Sequence, residues 1–544
     1  MSLSEITADA GVEATYIPSA DFPTESIRHA ATECPAATDA GATEVISEPV
    51  GTDSLSTSVL LLGGMTVAQK AIGLARNIAF CGLLLDTELG RWSLANSFLG
   101  LAAPLVMAGL PGTFGRYVEH YRAKGQLRQF LLSTSVACAV ISALCVILLY
   151  VFPSSCAWLV FGDSRKTELV RLTALALAAV VAFNFLAELF IAMRQARLVS
   201  ITQFVNSLVF AVVGVALLAG TSLREEALIH AFLVANVVSF LVGCHGARES
   251  WRSLPSDSRR LGQRELWSKM VPFTGWIWAS TLLINLFETA DRFMLVHLTP
   301  GRFGSADALV GQYHCSRVVP LMIVGLACMF ATVIVPYLSH DWEQGRRDVV
   351  SRRLNLSMKM MSLGLTWGSA VVLAGAPLLF GWVLHGKYDA GLDALPLTLT
   401  YCTWFSIGCV TQTYLSCAER TSLISVAYLL GLAANIVLNF VLIPTLGLSG
   451  AVTATAVSNL IALVLIQLYN IRLGMQVDRG VWIAMVVPML ICLGTLPALM
   501  GSMIVAVLAF RGRWYFSPDE RRLLWDGVRG PYERVRGRLR VFGV

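Results

Sequence analysis

Gly90-Arg91-Trp92 and Gly311-Gln312-Tyr313 each open a long apolar segment of this chain. Four residues of the first segment return in the second at a separation of 220 or 221 positions: Gly90, Tyr117, His120 and Gly125 recur as Gly311, Tyr337, His340 and Gly345. Arg76 recurs as Arg292 at 216, a difference that one short loop insertion can absorb. The recurrence predicts a duplicated helical bundle whose two halves meet at a central interface.

The composition is that of a membrane protein. The chain is 56% hydrophobic and 14% charged, with a mean hydropathy of +0.66. Soluble domains carry about a quarter charged residues. A chain this apolar would expose too much hydrophobic surface in water, so we expect it to reside in a lipid bilayer.

Twelve segments have the length needed to cross the apolar core of a bilayer as helices. They lie near 57–80, 92–115, 129–152, 169–193, 200–220, 226–247, 270–297, 307–335, 357–384, 394–417, 421–443 and 449–469. The repeat divides them into an N-lobe of six helices (56–247) and a C-lobe of six helices (270–470). Because each half has an even number of spans, the halves share one orientation, and the pseudo-two-fold axis runs along the membrane normal.

The distribution of Lys and Arg residues predicts the orientation of the chain in the membrane. Connections after even-numbered spans hold 19 Lys and Arg residues, including those of a basic linker at 248–269, and connections after odd-numbered spans hold six. The positive-inside rule therefore places the N-terminus in the cytoplasm. Residues 1–55 carry ten carboxylates and one cation, Arg28, and predict a disordered acidic cytoplasmic tail.

The C-terminal apolar run, 481–510, is long for one helix and short for two. A helical hairpin turning near Gly494–Pro497 would return the basic tail, 511–544, to the cytoplasm, so we expect about 14 transmembrane helices, with 13 as the alternative. Ser517 and Glu520 have capping-box spacing, with Pro518 at the first helical position, and predict a helix start.

Several polar and charged side chains occur inside the predicted membrane spans. They lie in the first span (Gln69, Lys70, Arg76, Asn77), at the end of the second (Arg116), in the fourth (Glu188), in the seventh (Asn285, Glu288, Asp291, Arg292) and in the eighth (Arg317). Charges inside spans are costly and usually face a partner or a cavity. Helical spacing gathers the four residues of the first span on one stripe, which we expect to point inward.

Two interpretations of these charges are open. The cations can line a wet cavity between the halves and receive an anionic head group, because guanidinium matches phosphate with two parallel hydrogen bonds. Alternatively the charges form internal salt bridges, Glu288 with Arg292 or Glu188 with Lys70. The absence of an acidic partner on their own helix favours the cavity for Lys70 and Arg76. Arg116 fits a topology anchor equally well.

Several classes of activity are disfavoured by missing motifs. The sequence has no HExxH, no paired cysteine–histidine spacing and no phosphate-binding loop, so we expect no metal, no cofactor and no nucleotide hydrolysis. No internal loop is long enough for an enzyme domain, and nothing indicates nucleic-acid binding. We expect a protein that is not an enzyme.

Several motifs carry a family resemblance: Asp86 to Trp92, Ala108 to Pro111, Arg116-Tyr117, Ala290 to Met294, and Asn439 to Pro444 followed by Gly447, Gly450-Ala451, Ala454-Thr455 and Ser458. Their order and spacing over 57–475 resemble the polysaccharide flippases of the multidrug/oligosaccharidyl-lipid/polysaccharide (MOP) exporter superfamily.

The resemblance implies movement of a polyprenyl-diphosphate-linked oligosaccharide across the cell inner membrane, by alternating access of two lobes, for surface polysaccharide biosynthesis. It assigns the diphosphate to Lys70, Arg76 and Arg292, with Arg317 and Arg116 as further candidates. Gln69, Asn77, Glu188, Asn285, Glu288 and Asp291 become polar cavity residues, with the acids as candidates for ion coupling. Expected partners are the lipid-linked glycan, membrane lipids and the glycan polymerase or glycosyltransferases of the same pathway.

Three alternatives remain at this stage. A lipid II flippase for peptidoglycan precursor has the same composition. A cation-coupled multidrug exporter is disfavoured, because a cation-rich first span would repel cationic drugs. A membrane enzyme such as a glycan polymerase or ligase would need a sizeable outward loop with catalytic residues, and the outward loops are short.

Overall fold

The fold, seen in a computed structural model, is helical throughout the residues that the structure describes, 55–252, 261–512, 514–522 and 524–525. The predicted acidic tail up to residue 54 and most of the basic tail lie outside them. The first half contains α1 (Leu55–Leu83), α2 (Asp86–Val106), α3 (Pro111–Ala123), α4 (Leu127–Val151), α5 (Pro153–Phe161), α6 (Thr167–Ala192), α7 (Ala196–Gly220), α8 (Glu225–Gly246) and α9 (Arg248–Arg252). The second contains α10 (Gln263–Leu298), α11 (Ala306–Arg317), α12 (Pro320–Glu343), α13 (Arg347–Leu378), α14 (Asp389–Thr411), α15 (Thr413–Cys417), α16 (Thr421–Leu446) and α17 (Leu448–Arg472). After these come α18 (Arg479–Val486), a 3₁₀ segment (Val487–Leu493) and α19 (Thr495–Arg511).

Ten helices of the described chain are long and apolar enough to cross a membrane, and they correspond to the third through twelfth predicted spans. The first predicted span corresponds to α1, and the second begins in α2. The protein is therefore a polytopic helical membrane protein, as its composition predicts. The seventh span begins at Gln263, so the last residues of the predicted linker already belong to α10.

The second and eighth spans, predicted as continuous, are each broken. The second turns between α2 and α3 at Ala108 (φ 50°) and Gly109 (φ 69°), and Pro111 then starts the next helix. A Cβ on Gly109 would lie 2.5 Å from the Thr274 carbonyl oxygen, so glycine permits α10 to approach this turn. The eighth is interrupted between Arg317 and Pro320.

The C-terminal run forms the predicted hairpin. Gly494 (φ 101°) makes the turn between the 3₁₀ segment and α19. Both apolar limbs, Arg479–Leu493 and Thr495–Ala509, are shorter than the ten membrane-length helices. The predicted capping box is confirmed: the Ser517 N–H donates to Glu520 Oε2 (2.7 Å), and the Glu520 N–H donates to Ser517 Oγ (3.2 Å).

A buried lysine fixes the end of this hairpin. Lys359 of α13 is fully buried, and its ammonium contacts Asp478 and Glu520, the latter at 2.8 Å. The Tyr515 hydroxyl donates to the Lys359 carbonyl oxygen (2.9 Å), and burial raises the pKa of this phenol, which keeps it a neutral donor. Because Asp478 precedes the hairpin and Glu520 follows it, both ends of the hairpin lie together.

Candidate functional site

The two halves meet most closely where α2 crosses α11. A Cβ on Gly90 would lie 1.8 Å from the Asp307 carbonyl oxygen, and a Cβ on Gly311 would lie 1.9 Å from that of Asp86. The contact is reciprocal, because Asp307 and Gly311 each follow their counterparts Asp86 and Gly90 by 221 residues. Such reciprocity is what a local two-fold axis produces. The recurring glycines of the sequence therefore lie where the halves touch.

Charged and polar groups join the halves around this crossing. Asp307 accepts hydrogen bonds from Arg91 Nε (3.0 Å) and Lys166 Nζ (2.7 Å), both of the first half. The Gln312 amide donates to Asp86 (3.2 Å), and Lys387 Nζ donates to the Gly82 carbonyl oxygen (2.8 Å). We call the end of the bundle that contains these contacts the closed end.

Three arginines predicted from the sequence come together below the closed end. Arg76, Arg292 and Arg317 are 8%, 2% and 5% exposed, and the charges of all three act on the ring of His314. The Arg76 guanidinium lies 4.5 Å from the centre of the Phe210 ring. Arg317 lies roughly 16 Å along α11 from Ala306, which is about half the thickness of the apolar bilayer core. We call these three residues the arginine cluster.

Two members of the arginine cluster keep unused hydrogen-bond donors. Nε and Nη1 of Arg317 and Nε of Arg292 are buried without an acceptor. Arg292 Nη1 donates to Ser97 of the first half. In the part of the chain that the structure describes, neither guanidinium has a carboxylate oxygen within 4.0 Å, so the salt bridge between Glu288 and Arg292 that the sequence left open is not formed. Buried cations without acceptors are costly to maintain in a folded protein.

The nearest carboxylate, Asp291, is held by other groups. Its Oδ1 accepts the Arg292 N–H (2.8 Å), and its Oδ2 accepts hydrogen bonds from the Tyr313 hydroxyl (2.5 Å) and the Thr455 hydroxyl (3.3 Å). Thr455 also lies 3.4 Å from Asn435, which in turn accepts from Asn439 (2.9 Å). Asp291 is thus at the centre of an oxygen-rich group formed by α10, α11, α16 and α17.

Lys70 and Glu288 define a second polar region. The charges of both act on the thiol of Cys328 in α12, so the two residues occupy the same neighbourhood. The Lys70 ammonium packs onto Gly325, where a Cβ would lie 2.8 Å from Nζ. Lys70 therefore reaches across from the first half to the second. Lys70 precedes Arg76 on α1, but Lys70 contacts Gly325 of α12, whereas Arg76 contacts Phe210 of α7.

The other predicted residues are distributed less tightly. Gln69 and Asn285 are buried, and each has a carbonyl oxygen without a partner, whereas Asn77 and Glu188 are half-buried. Glu188 forms no ion pair among the described residues, so the expected alternative of a Glu188–Lys70 bridge is not formed. The side chain of Arg116 lies outside the described part of the structure.

Four residues that the sequence did not single out as candidates lie at the arginine cluster: Ser97, Tyr313, His314 and Tyr401. In the sequence, Tyr313 is an anchor of the repeat and lies one turn before Arg317, but nothing in the pattern assigns it to the site. Serine, tyrosine and histidine are common in buried helices, so only their proximity to the arginine cluster shows their relevance. An apolar pocket of about 160 Å³ lies nearby and shares Cys315 and Ser316 of α11, but none of the three arginines lines it.

Comparisons with known proteins identify a family and a relative that this chain resembles. The model of the polysaccharide biosynthesis protein family matches residues 55–342. An uncharacterized membrane protein of Bacillus subtilis (strain 168), YabM, is 24% identical over 451 residues, covering 79% of this chain and 82% of that protein.

Solved structures show the same fold. The lipid II flippase MurJ in an inward closed conformation has a TM-score of 0.63 at 12% identity, covering 83% of this chain and 99% of that one. An inward-facing multidrug resistance MATE family transporter has a TM-score of 0.62 at 13% identity, covering 74% and 94%. The chain belongs to the polysaccharide biosynthesis protein family.

Proposed function

We propose that this protein is a flippase that moves a polyprenyl-diphosphate-linked oligosaccharide across the cytoplasmic membrane for surface polysaccharide biosynthesis. The observation that carries the proposal is the arginine cluster, in which buried guanidinium N–H groups of Arg292 and Arg317 have no acceptor. A diphosphate supplies several anionic oxygens at a spacing that paired guanidinium groups bind well. The family name, polysaccharide biosynthesis protein, supports a glycan carrier as the substrate.

The position of the cluster suits such a substrate. Head-group phosphates must cross the apolar core, where an isolated anion is very costly. Cations near mid-depth and between the two halves offset that cost at the point where it is largest. The sugars would occupy the space between the halves, and the polyprenyl chain would stay in the bilayer. The role proposed is transport, without a chemical step.

The closed end supports alternating access as the mechanism. Its contacts between the halves include ion pairs and hydrogen bonds around the Gly90–Gly311 crossing, and such polar contacts can break and form again as the halves move. The charge asymmetry of the connections assigns both termini to the cytoplasm and the closed end to the opposite face. In this assignment the structure represents the inward-facing state, and Arg116, at the cytoplasmic end of the second span, would meet the substrate first.

Ion coupling would involve the acids of α10. Asp291 accepts hydrogen bonds from the Tyr313 and Thr455 hydroxyls, and Glu288 lies in the same neighbourhood as Lys70. Carboxylate, hydroxyl and amide oxygens suit either a proton or a hard monovalent cation. Glu188, Gln69, Asn77 and Asn285 would contribute to the polar surface around the substrate.

Lipid II flipping is the second candidate. Lipid II carries the same diphosphate, and the MurJ fold matches over 83% of this chain. The arginine cluster therefore serves either substrate, and the sugars would distinguish them. A drug exporter for cations fits less well, because uncompensated guanidinium groups repel a cationic substrate.

Reconstitution in liposomes tests the proposal. We expect transbilayer movement of a fluorescent polyprenyl-diphosphate oligosaccharide, and we expect Arg292→Ala or Arg76→Ala to slow it about tenfold or more, because a hydrogen bond to a charged group contributes about 1.5–3 kcal/mol. The matched control is Arg165→Ala, since the side chain of Arg165 is 93% exposed. The same rate in both cluster variants and the control would refute the site. Equal transport of an uncharged glycolipid would refute recognition of the phosphates.

A further inference from the structure

The unusual feature of the arginine cluster is that a carboxylate lies close by and does not neutralise it. The charge of Asp291 acts on both Arg292 and Arg317. No oxygen of Asp291 lies within 4.0 Å of either guanidinium in the described chain, and Arg317 is left with two buried donors unused. In a medium of low polarity, a guanidinium–carboxylate pair is strongly favoured over two separated charges. Something must therefore hold Asp291 in place.

Tyr313 is the side chain best placed to do so. It is fully buried, and its hydroxyl donates to Asp291 Oδ2 at 2.5 Å, the shortest of the three hydrogen bonds to this carboxylate. The Tyr401 hydroxyl lies 3.5 Å from the same hydroxyl. The ring of Tyr313 lies 5.3 Å from the Arg317 guanidinium, close enough for a cation–π contact. One side chain thus contacts both the carboxylate and the cation that the carboxylate would otherwise neutralise.

Tyr313 and Arg317 are one turn apart on α11, so their relative positions are fixed by the helix. The remaining donors to Asp291 come from the Arg292 backbone and from Thr455. Neither of these shields Arg317. Removing the Tyr313 hydroxyl would leave Oδ2 with one hydrogen bond, at 3.3 Å, and rotation of the Asp291 side chain toward a guanidinium would then satisfy both charges.

We propose that Tyr313 is a positioning residue that holds the Asp291 carboxylate away from Arg292 and Arg317, and so keeps both guanidinium groups available to the diphosphate of the substrate. The inference rests on the proposed function, since it assumes an anionic ligand at the arginine cluster. It assigns Asp291 the role of an internal competitor for the site. Loss of the hydroxyl would thus weaken ligand binding although Tyr313 supplies no charge to the ligand.

Binding of geranylgeranyl diphosphate to the purified full-length protein in lipid nanodiscs tests this. Tyr313→Phe keeps the ring under Arg317 and removes only the hydroxyl, and we expect it to weaken binding about tenfold or more. Asp291→Asn removes the competing charge and should tighten binding severalfold. The double variant should return to the affinity of Asp291→Asn, because without the carboxylate the hydroxyl has nothing to restrain. Rescue of this kind is not expected from a residue that is merely structural.

The matched control is Tyr515→Phe, which removes a buried tyrosine hydroxyl bonded to the Lys359 carbonyl oxygen, far along the chain from the cluster. It should bind with wild-type affinity. Wild-type affinity in Tyr313→Phe would overturn the proposal, and so would a double variant as weak as Tyr313→Phe. If Tyr313→Phe does not fold, Asp291→Asn alone decides, because weaker binding in that variant would make Asp291 a contributor and not a competitor. Failure of the wild-type protein to bind the diphosphate would instead contradict the proposed function.

Discussion

At the scale of single residues, the buried cations Lys359 and Arg317 have different surroundings. Lys359 is fully buried but fully compensated, because Asp478 and Glu520 both contact its ammonium. Arg317 is nearly as buried and has no carboxylate partner among the described residues. We interpret the compensated charge as a structural clamp and the uncompensated one as part of the proposed ligand site. Burial alone would not have separated the two roles.

This contrast makes a prediction about stability. Lys359→Met keeps the length of the side chain and leaves two carboxylates facing each other, so we expect a loss of about 3–5 kcal/mol in the free energy of unfolding. Thermal unfolding in detergent would show a lower midpoint. Arg352→Ala is the control, because its pair with Asp348 is more than half exposed and contributes about 0–1 kcal/mol. Equal midpoints in the two variants would show that the clamp does not stabilise the fold.

At the scale of helices, α11 connects the closed end of the molecule to the arginine cluster. Its first turn carries Asp307 at the closed end, its middle carries Gly311 and Tyr313, and its last residue is the Arg317 of the arginine cluster. The interruption before Pro320 ends the helix at that cation. A movement of α11 would therefore act on the closed end and the arginine cluster together.

The crossing of α2 and α11 can be tested through a native pair of cysteines. The thiols of Cys81 in α1 and Cys315 in α11 lie close enough to interact, so oxidation with diamide should join the two halves. Gly90→Ala places a methyl group against the Asp307 carbonyl oxygen and should separate the helices, reducing the yield of this disulfide severalfold. The yield can be measured by mass spectrometry of the digested protein.

Two further variants make that measurement specific. Cys328→Ser removes the Cys328–Cys409 pair, whose sulfur atoms are 3.8 Å apart, and serves as the background. Gly364→Ala is the matched glycine control, because a Cβ there meets nothing within 4 Å. Gly364→Ala should give the same disulfide yield as the Cys328→Ser background. An unchanged yield in Gly90→Ala would mean that the crossing tolerates a side chain.

At the scale of the whole molecule, charge and hairpin geometry agree on where the ends lie. The distribution of Lys and Arg predicts a cytoplasmic N-terminus, and an even number of crossings, with the hairpin counted as two, returns the tail to the same side. In the structure, Asp478 and Glu520, which lie on the two sides of that hairpin, contact the same Lys359 ammonium. A single crossing by residues 481–510 would have separated these residues by the thickness of the bilayer.

Fusions at the C-terminus check this topology. Green fluorescent protein attached after Val544 should fluoresce, because it folds on the cytoplasmic side, and alkaline phosphatase at the same position should be inactive. A chain truncated at Gly494 ends after the first limb of the hairpin, so its C-terminus should lie on the opposite side of the membrane. At that position the phosphatase fusion should be active, and the green fluorescent protein fusion should not fluoresce. Phosphatase activity at Val544 would contradict the hairpin and favour 13 spans.

The sequence by itself determined the membrane class, the two like-oriented halves, the C-terminal hairpin and most of the candidate cations, because hydropathy, charge bias and repeats are local or periodic properties. Only the tertiary structure decided which charges neutralise one another. Glu288 with Arg292 and Glu188 with Lys70 were reasonable pairs by spacing, yet neither is formed. Pairing depends on helices distant in sequence, as when Tyr313 and Thr455 together hold Asp291. Spacing along one helix cannot reveal contacts that four helices create.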